Sequence, residues 1–483
     1  MSRNIVKLTS LKNAAQLRAR LDELEIELPL ASAAPADILS APLALRDSVA
    51  GTRTVGNRFS ILPMEGWDAT ADGRPTELVR RRWRRFGESG AKLVWCEATA
   101  VRADGRANAN QLLLGPGAGA DLGELRRELV EAHRKRFERT DDLVVGLQLT
   151  HSGRWARPGD TPSPRTVFRH AWLDKRVNAD DASVFSDAEL DELSGDYIAA
   201  AVRARDAGFD FVDVKHCHGY LLHELLAARD RGGAYGGSLA ARTRFMREVA
   251  AGIRTKAPEL RIAVRLSAYD FAPFSKGDDG RGVCEADAPY PHAFGGDGSG
   301  VGIDLHEPHA FLSELEALGI GLVSITAGSP YYCPHIQRPA AYPPSDGYSP
   351  PEDPLVGVAR MLKATRELAL AHPDLAIVTS GLSYLQEWLP PVGAGAVEQG
   401  AGHFVGLGRM ALSYPELPAD VLAGRVLQRK KICRTFSDCT TGPRNGLISG
   451  CYPLDPYYKS LPDAPRLAKL RADAARTKST GDH

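Results

Sequence analysis

No charge of either sign prevails in these 483 residues, where 60 Lys and Arg stand against 60 Asp and Glu. A nucleic acid is therefore not expected as partner, because its binders usually carry a basic excess. No run approaches the roughly 18–20 consecutive apolar residues that span a bilayer, so no membrane partner is expected either. The first thirty residues mix charges throughout and lack the apolar core of a secretory signal. Cysteine is scarce: seven residues, odd in number and scattered, suit a reducing cytoplasm better than a disulfide framework. No G-x-G-x-x-G follows any β-type run, which argues against a doubly wound open sheet. No repeat of fixed period is visible.

What is present is ordinary globular composition, 43% apolar and 25% charged, with 47 Gly and 32 Pro that imply many loops. Residues 1–50 form an extension, with a short amphipathic helix over Ala14 to Leu24 and then an Ala/Pro-rich linker. From about residue 55, apolar runs alternate with helical patterns. The strand candidates are Phe59–Pro63, Lys92–Thr99, Leu143–Thr150, Phe209–Lys215, Arg261–Ser267, Gly321–Thr326, Leu375–Thr379 and His403–Leu407. Helical patterns include Leu122–Phe137, Asp187–Ala207, Ser238–Thr255, Pro308–Leu318 and Pro354–Ala371. Eight strands, each followed by a crossover long enough for a helix, is the arithmetic of an α/β (β/α)₈ TIM barrel. The expected division is a leader over 1–50, a barrel over 51–415 and a C-terminal extension over 416–483.

Alternation within the strands assigns their faces. Val212 and Val214 share one face and Asp213 and Lys215 the other; Ile262, Val264 and Leu266 oppose Ala263, Arg265 and Ser267. The apolar set should pack on the outer helices and the polar set should point inward, where a charge is costly unless paired or used on a ligand. Gln148, Lys215 and Arg265 fall at strand C-terminal ends, the catalytic face of such barrels. Gln148 offers a donor and an acceptor that match a heteroaromatic edge, or else satisfies a neighbouring backbone group. After the fourth strand, Lys215, His218 and Tyr220 gather a cation, an imidazole and a phenol, suited to holding an oxyanion and delivering a proton. His216 and His218 lack a third ligand, so no metal is assigned. Gly381, Gly408 and Arg409 follow the seventh and eighth strands, where glycine backbone N–H groups and a guanidinium can hold a phosphate.

Further segments carry a family likeness. Asn57-Arg58-Phe59 with Pro63-Met64, Glu97-Ala98-Thr99, Leu147-Gln148-Leu149 with His151, and Gly208-Phe209-Asp210 come first. His218-Gly219-Tyr220-Leu221-Leu222, Tyr235-Gly236-Gly237-Ser238, Val264-Arg265-Leu266-Ser267, and Val405-Gly406-Leu407-Gly408-Arg409 follow in the same order. Together they resemble the Old Yellow Enzyme family of FMN-dependent NADH:flavin oxidoreductases, its longer bacterial members included. The resemblance implies a TIM barrel holding FMN, reduced by NADH or NADPH, that passes hydride to an electron-poor alkene. By the same resemblance Pro63, Met64 and Ala98 would line the flavin ring, and Gln148 would bond its pyrimidine edge. Arg265 would stabilise the reduced anion, and Gly381, Gly408 and Arg409 would hold the phosphate. Tyr220 would be the proton donor and His218 one substrate-oxygen ligand.

The chain also departs from that pattern. Lys215 stands where relatives usually place the second oxygen ligand, a His, and Glu65 where they often place Thr or Cys. An amine- or alcohol-type dehydrogenase, a Lys215 Schiff-base lyase and a non-catalytic flavin scaffold are the competing readings. Larger relatives carry a C-x2-C-x3-C-x11-C iron–sulfur motif and a nucleotide-binding domain. Cys433, Cys439 and Cys451 keep only C-x5-C-x11-C, so free or structural thiols are expected and no metal, with no room for the extra domain before residue 483. A Gly/Asp-rich insertion over 273–303 is read as a substrate lid or a solvated flap. The partners considered are a small-molecule substrate and, in a homo-oligomer, a second copy of the chain.

Overall fold

The computed structural model describes residues 5–286 and 289–479. The outermost residues of leader and tail, and residues 287–288 of the insertion, lie outside it. In chain order the strands are β1 (Leu43–Asp47), β2 (Gly51–Val55), β3 (Phe59–Ile61), β4 (Leu93–Ala100), β5 (Val144–Thr150), β6 (Phe211–Val214) and β7 (Arg261–Ser267). Then come β8 (Phe274–Lys276), β9 (Gly282–Cys284), β10 (Leu322–Thr326), β11 (Ala376–Thr379) and β12 (Phe404–Leu407). Eight of them close a parallel barrel in the order β3-β4-β5-β6-β7-β10-β11-β12 and back to β3. All eight expected strands form, most of them one or two residues shorter than the apolar runs.

The alternation decides the packing as expected. Val212, Val214, Ile262, Val264 and Leu266 join the layer between strands and outer helices. Phe211 and Ala263 face inward with Leu93, Trp95 and Val144. Inside the barrel Trp95 meets Phe211 edge to face, ring centroids 5.0 Å apart. Gly146 makes room for that pair, since a Cβ there would lie 2.1 Å from Phe211 Cζ. The crossover helices carry their own boundary signals. Ser186 and Glu189 form a reciprocal capping box at Asp187–Asp206, and Asp353 caps Pro354–Ala371 with Pro354 at its first position. The pattern over Ser238–Thr255 divides into Leu239–Arg242 and Arg244–Lys256 at Thr243, whose hydroxyl donates back to the Leu239 carbonyl at 3.0 Å.

Two segments outside the eight barrel strands, the linker and the insertion read as a lid or flap, pack onto the barrel and its loops. The residues taken as an Ala/Pro-rich linker contain a short helix (Pro35–Leu39) and β1, which pairs antiparallel with β2. Leu45 and Val55 of this hairpin pack against the inward side chains Leu93, Val144 and Phe211, closing the end of the barrel from which the strands start. The insertion after β7 folds into the β8–β9 hairpin, and its Phe274 N–H donates to the Tyr332 carbonyl at 2.8 Å. Arg176 donates to the carbonyls of both Tyr331 and Phe274. The insertion therefore supports the loop after β10 from behind.

Plugging the barrel makes Leu45 a core residue, 1% exposed. Leu45→Ala is expected to destabilise the protein by about 2–5 kcal/mol in chemical denaturation. A change within about 0.5 kcal/mol, the ordinary result for a linker residue, would contradict the plug.

Candidate active site

At the C-terminal ends of the barrel strands a cavity is lined by residues from seven segments, six of the barrel and one of the tail. Pro63, Met64, Glu65 and Trp67 come from the loop after β3, His218 and Tyr220 from the loop after β6, and Arg265 from β7 itself. Tyr331, Gln337 and Arg338 come from the loop after β10, Gly381 and Ser383 follow β11, and Gly408 and Arg409 follow β12. The tail closes the far side with Cys439, Thr440, Pro443, Arg444 and Ser449.

The β3 loop is held by buried charge. Glu97 accepts from Arg82, from Trp83 Nε1 at 2.8 Å and from the Gly66 backbone at 3.3 Å, while Arg82 also forks onto Asp68. The turn after β6 depends on two successive left-handed residues, His218 (φ 67°) and Gly219 (φ 73°). That turn brings both His218 and Tyr220 to the cavity. A Cβ on Gly219 would lie 2.7 Å from Ser329 Oγ, so both conformation and space require glycine.

Lys215 and Glu65, the two departures from the family pattern, meet each other. Lys215 Nζ lies 3.2 Å from Glu65 Oε1 and 3.9 Å from the centre of the Tyr220 ring, and its side chain is 2% exposed. Glu65 also accepts from Trp67 Nε1 at 2.8 Å. The ammonium is not among the groups that line the cavity and is turned to the carboxylate of Glu65, which is. The carboxylate faces a cation, so it adds less negative field than a lone Glu.

Of the other expected residues, Pro63, Met64, His218, Tyr220, Arg265, Gly381, Gly408 and Arg409 line the cavity, whereas Ala98 and Gln148 do not. Ala98 sits fully buried at a bulge in the β4–β5 pairing, and its carbonyl accepts from Gln111 at 3.1 Å. Gln148 Nε2 donates inward to Asp213 Oδ2 at 2.5 Å, the same oxygen that Trp95 Nε1 reaches at 2.9 Å. Asp213 Oδ1 accepts the Arg265 backbone N–H at 2.7 Å. Burial pushes the Asp213 carboxyl up to about 6, against the lowering effect of Gln148, the Arg265 N–H and Trp95.

The acid–base character of the cavity follows from the same burial. His218 is held well below the usual imidazole value by burial and then by Arg265 and Lys215. It is neutral at pH 7, and its Nε2 lies 3.3 Å from both Gln337 Nε2 and Thr326 Oγ1. Tyr220 is pushed well above the usual phenol value by burial and then by Glu65 and Tyr331, so it keeps its proton. Its hydroxyl lies 3.1 Å from that of Tyr331, whose ring stacks on Trp155 at 4.4 Å. His216 faces outward, bonded to the Val214 carbonyl and packed on Phe311. Among the described residues no group of three or more His, Cys, Asp or Glu could hold a metal ion, and no helix is long and apolar enough to cross a membrane.

The pattern along the chain did not reveal Tyr331, Gln337, Arg338 or the tail contacts, because loop residues carry no periodicity. The one available signal is composition: Tyr331 to Arg338 packs Tyr, Cys, His, Gln and Arg into a turn-rich segment after a strand.

The cavity also fits an anionic, ring-bearing group such as FMN. Arg265 Nε, Arg338 Nη2 and Arg409 Nη1 have no hydrogen-bond partner among the described residues. Gly381 (φ 79°) and Gly408 line the cavity with backbone that carries no side chain of its own.

The family model of NADH:flavin oxidoreductase / NADH oxidase matches residues 49–286. An NADH:flavin oxidoreductase of Gibberella zeae is 30% identical over 240 residues, 45% of this chain and 55% of that one. An NADPH dehydrogenase of Bacillus subtilis is 30% identical over 241 residues, 48% of this chain and 64% of that one. The chain thus spans less than two thirds of these relatives. A 2-naphthoyl-CoA reductase superposes with a TM-score of 0.65 at 18% identity, covering 88% of this chain and 57% of that one, a likeness of fold.

Because Asp213 has a raised value when folded, it favours the folded state when protonated. Its share of stability is present below about pH 4 and lost as pH rises through about 6, a change on the order of 3 kcal/mol. Asp213→Asn should flatten the pH dependence of unfolding free energy across that window. Parallel curves for variant and parent would contradict the assignment.

Proposed function

We propose that this chain is an FMN-dependent enzyme of the NADH:flavin oxidoreductase family, whose model and members it matches over about half its length, and that it uses NADH or NADPH to reduce an electron-poor alkene. The observation that carries the reading is one cavity joining unpaired guanidiniums, backbone-exposing glycines, a neutral imidazole and a protonated phenol. Bound FMN would supply the two-electron chemistry, accepting hydride from reduced nicotinamide and donating it to the alkene.

The chain's own residues would do the rest. Arg265 places a guanidinium, its Nε without a partner among the described residues, on the inner surface of the cavity, where it would stabilise negative charge on a bound ring. Gly381, Gly408 and Arg409 would hold the phosphate. His218, neutral and lining the cavity, accepts at Nε2 from the Gln337 amide, which leaves Nδ1 as the N–H that can donate to a carbonyl or nitro oxygen without bringing a full charge. Tyr220 holds the proton needed at the carbon next to that group. Lys215, paired to Glu65 and covered by the Tyr220 ring, positions the phenol instead of binding the substrate oxygen directly. Pro63 and Met64 would form an apolar wall against the flavin ring.

The test separates the two half-reactions. Anaerobic NADH or NADPH should bleach the flavin of purified protein, and a nitroalkene or enone should restore its colour. Tyr220→Phe should leave the bleaching within a few-fold and slow the recolouring by about 10²–10⁴-fold. Absence of flavin, or recolouring unchanged in the variant, would contradict the reading.

A further inference from the structure

We propose that Arg338 is a second arginine for the cofactor's phosphate, held in position by Thr440 of the C-terminal extension, so that the tail completes the cofactor site. The proposal rests on the FMN reading above.

Four arginines line the cavity, and they differ in what neutralises them. Arg444 has Asp346 at 3.0 Å and the Pro330 carbonyl at 2.9 Å. Arg265 has the Asp213 carboxylate against its own backbone N–H. Arg409 donates from Nη2 only to the Pro339 carbonyl, at 2.8 Å, and its Nη1 has no partner among the described residues. Arg338 donates from Nη1 to Thr440 Oγ1, and its Nη2 likewise has none. For neither Arg338 nor Arg409 is there a carboxylate at ion-pair distance among the described residues.

These two belong to one end of the cavity. Pro339, which Arg409 grips, follows Arg338 directly, and its Cδ lies 3.9 Å from where a Cβ would stand on Gly381. Gly381, Arg409 and Arg338 therefore surround the same space. Two guanidiniums enclosed together with no carboxylate at ion-pair distance are costly unless an anion lies between them. Burial, then Arg444 and Arg409, push the Arg338 guanidinium down to about 9, the mark of that crowding. A phosphate monoester carries a charge of about −1.5 to −2 near neutral pH. One arginine leaves part of it uncompensated, and two match it through their planar N–H forks.

A simpler reading makes Arg338 a clasp that ties the β10 loop to the tail. The clasp uses Nη1 alone and gives Nη2 no role. A subsite for an anion on the substrate is the other alternative, and it would leave cofactor binding untouched.

Riboflavin and FMN differ only in the phosphate, so they separate these readings. The full chain, stripped of flavin, is titrated with each by fluorescence quenching. Arg338→Ala should weaken FMN at least tenfold and leave riboflavin within two-fold, and that riboflavin binding also reports a folded pocket. Arg338→Lys should recover part of the loss, and Thr440→Val should weaken FMN in the same direction by less. Equal loss for both flavins would make Arg338 a structural clasp, and no loss for either would move it to the substrate; each overturns the proposal. Parent protein that takes up neither flavin would overturn the FMN reading itself, an outcome seen before any variant is made.

Discussion

Asp213 fastens four adjacent strands from inside the barrel. It stands on β6 and accepts from Trp95 on β4, Gln148 on β5 and the Arg265 backbone on β7. A carboxyl so placed is costly to bury, and three donors offset much of that cost. One of them is a main-chain N–H, so the register of β7 is tied to the same group. The Arg265 guanidinium is thereby set at the cavity, above a polar layer that keeps the strands at fixed spacing. Beneath that layer the barrel is apolar, closed by Leu45 and Val55.

The rest of the site follows from placing charge around that layer. Lys215 and Glu65 neutralise each other beside Tyr220. Their pairing leaves the net positive character of the cavity with the arginines, which face the space where a phosphate and a reduced ring would lie. Burial then separates the roles of the two remaining groups: the imidazole of His218 is kept uncharged, and the phenol of Tyr220 is kept protonated. A neutral donor beside a held proton is suited to stabilising charge that develops only during reaction.

The barrel strands were legible because period-two alternation survives burial on both sides, as Val212-Asp213-Val214 illustrates. Of the three polar residues read at strand ends, Arg265 lines the cavity, whereas Gln148 and Lys215 bond to Asp213 and Glu65. The β1–β2 hairpin was not legible, because Leu43–Asp47 interleaves Arg46 and Ala44 with only one fully buried leucine, and its partner surface exists only after the barrel closes. For Gln148 the sequence leaves a ligand edge and a neighbouring protein group both open, and its Nε2 meets Asp213, a choice that depends on a side chain 65 residues away. The insertion over 273–303 was read as a lid or flap because loops on that face often cover sites, yet its hairpin binds the back of the Tyr331 loop. Thr440 and Arg444 reach the cavity across about a hundred residues from Arg338 and Pro330, a contact with no local signature.

Under the proposed function, the Asp213 layer and the guanidinium it supports build a flavin site. Calorimetric titration of flavin-stripped protein with FMN measures this most directly, alongside Arg265→Ala. The account predicts one FMN per chain, with binding weakened at least tenfold in the variant. No binding by the parent protein, or equal affinity for the two, would contradict it.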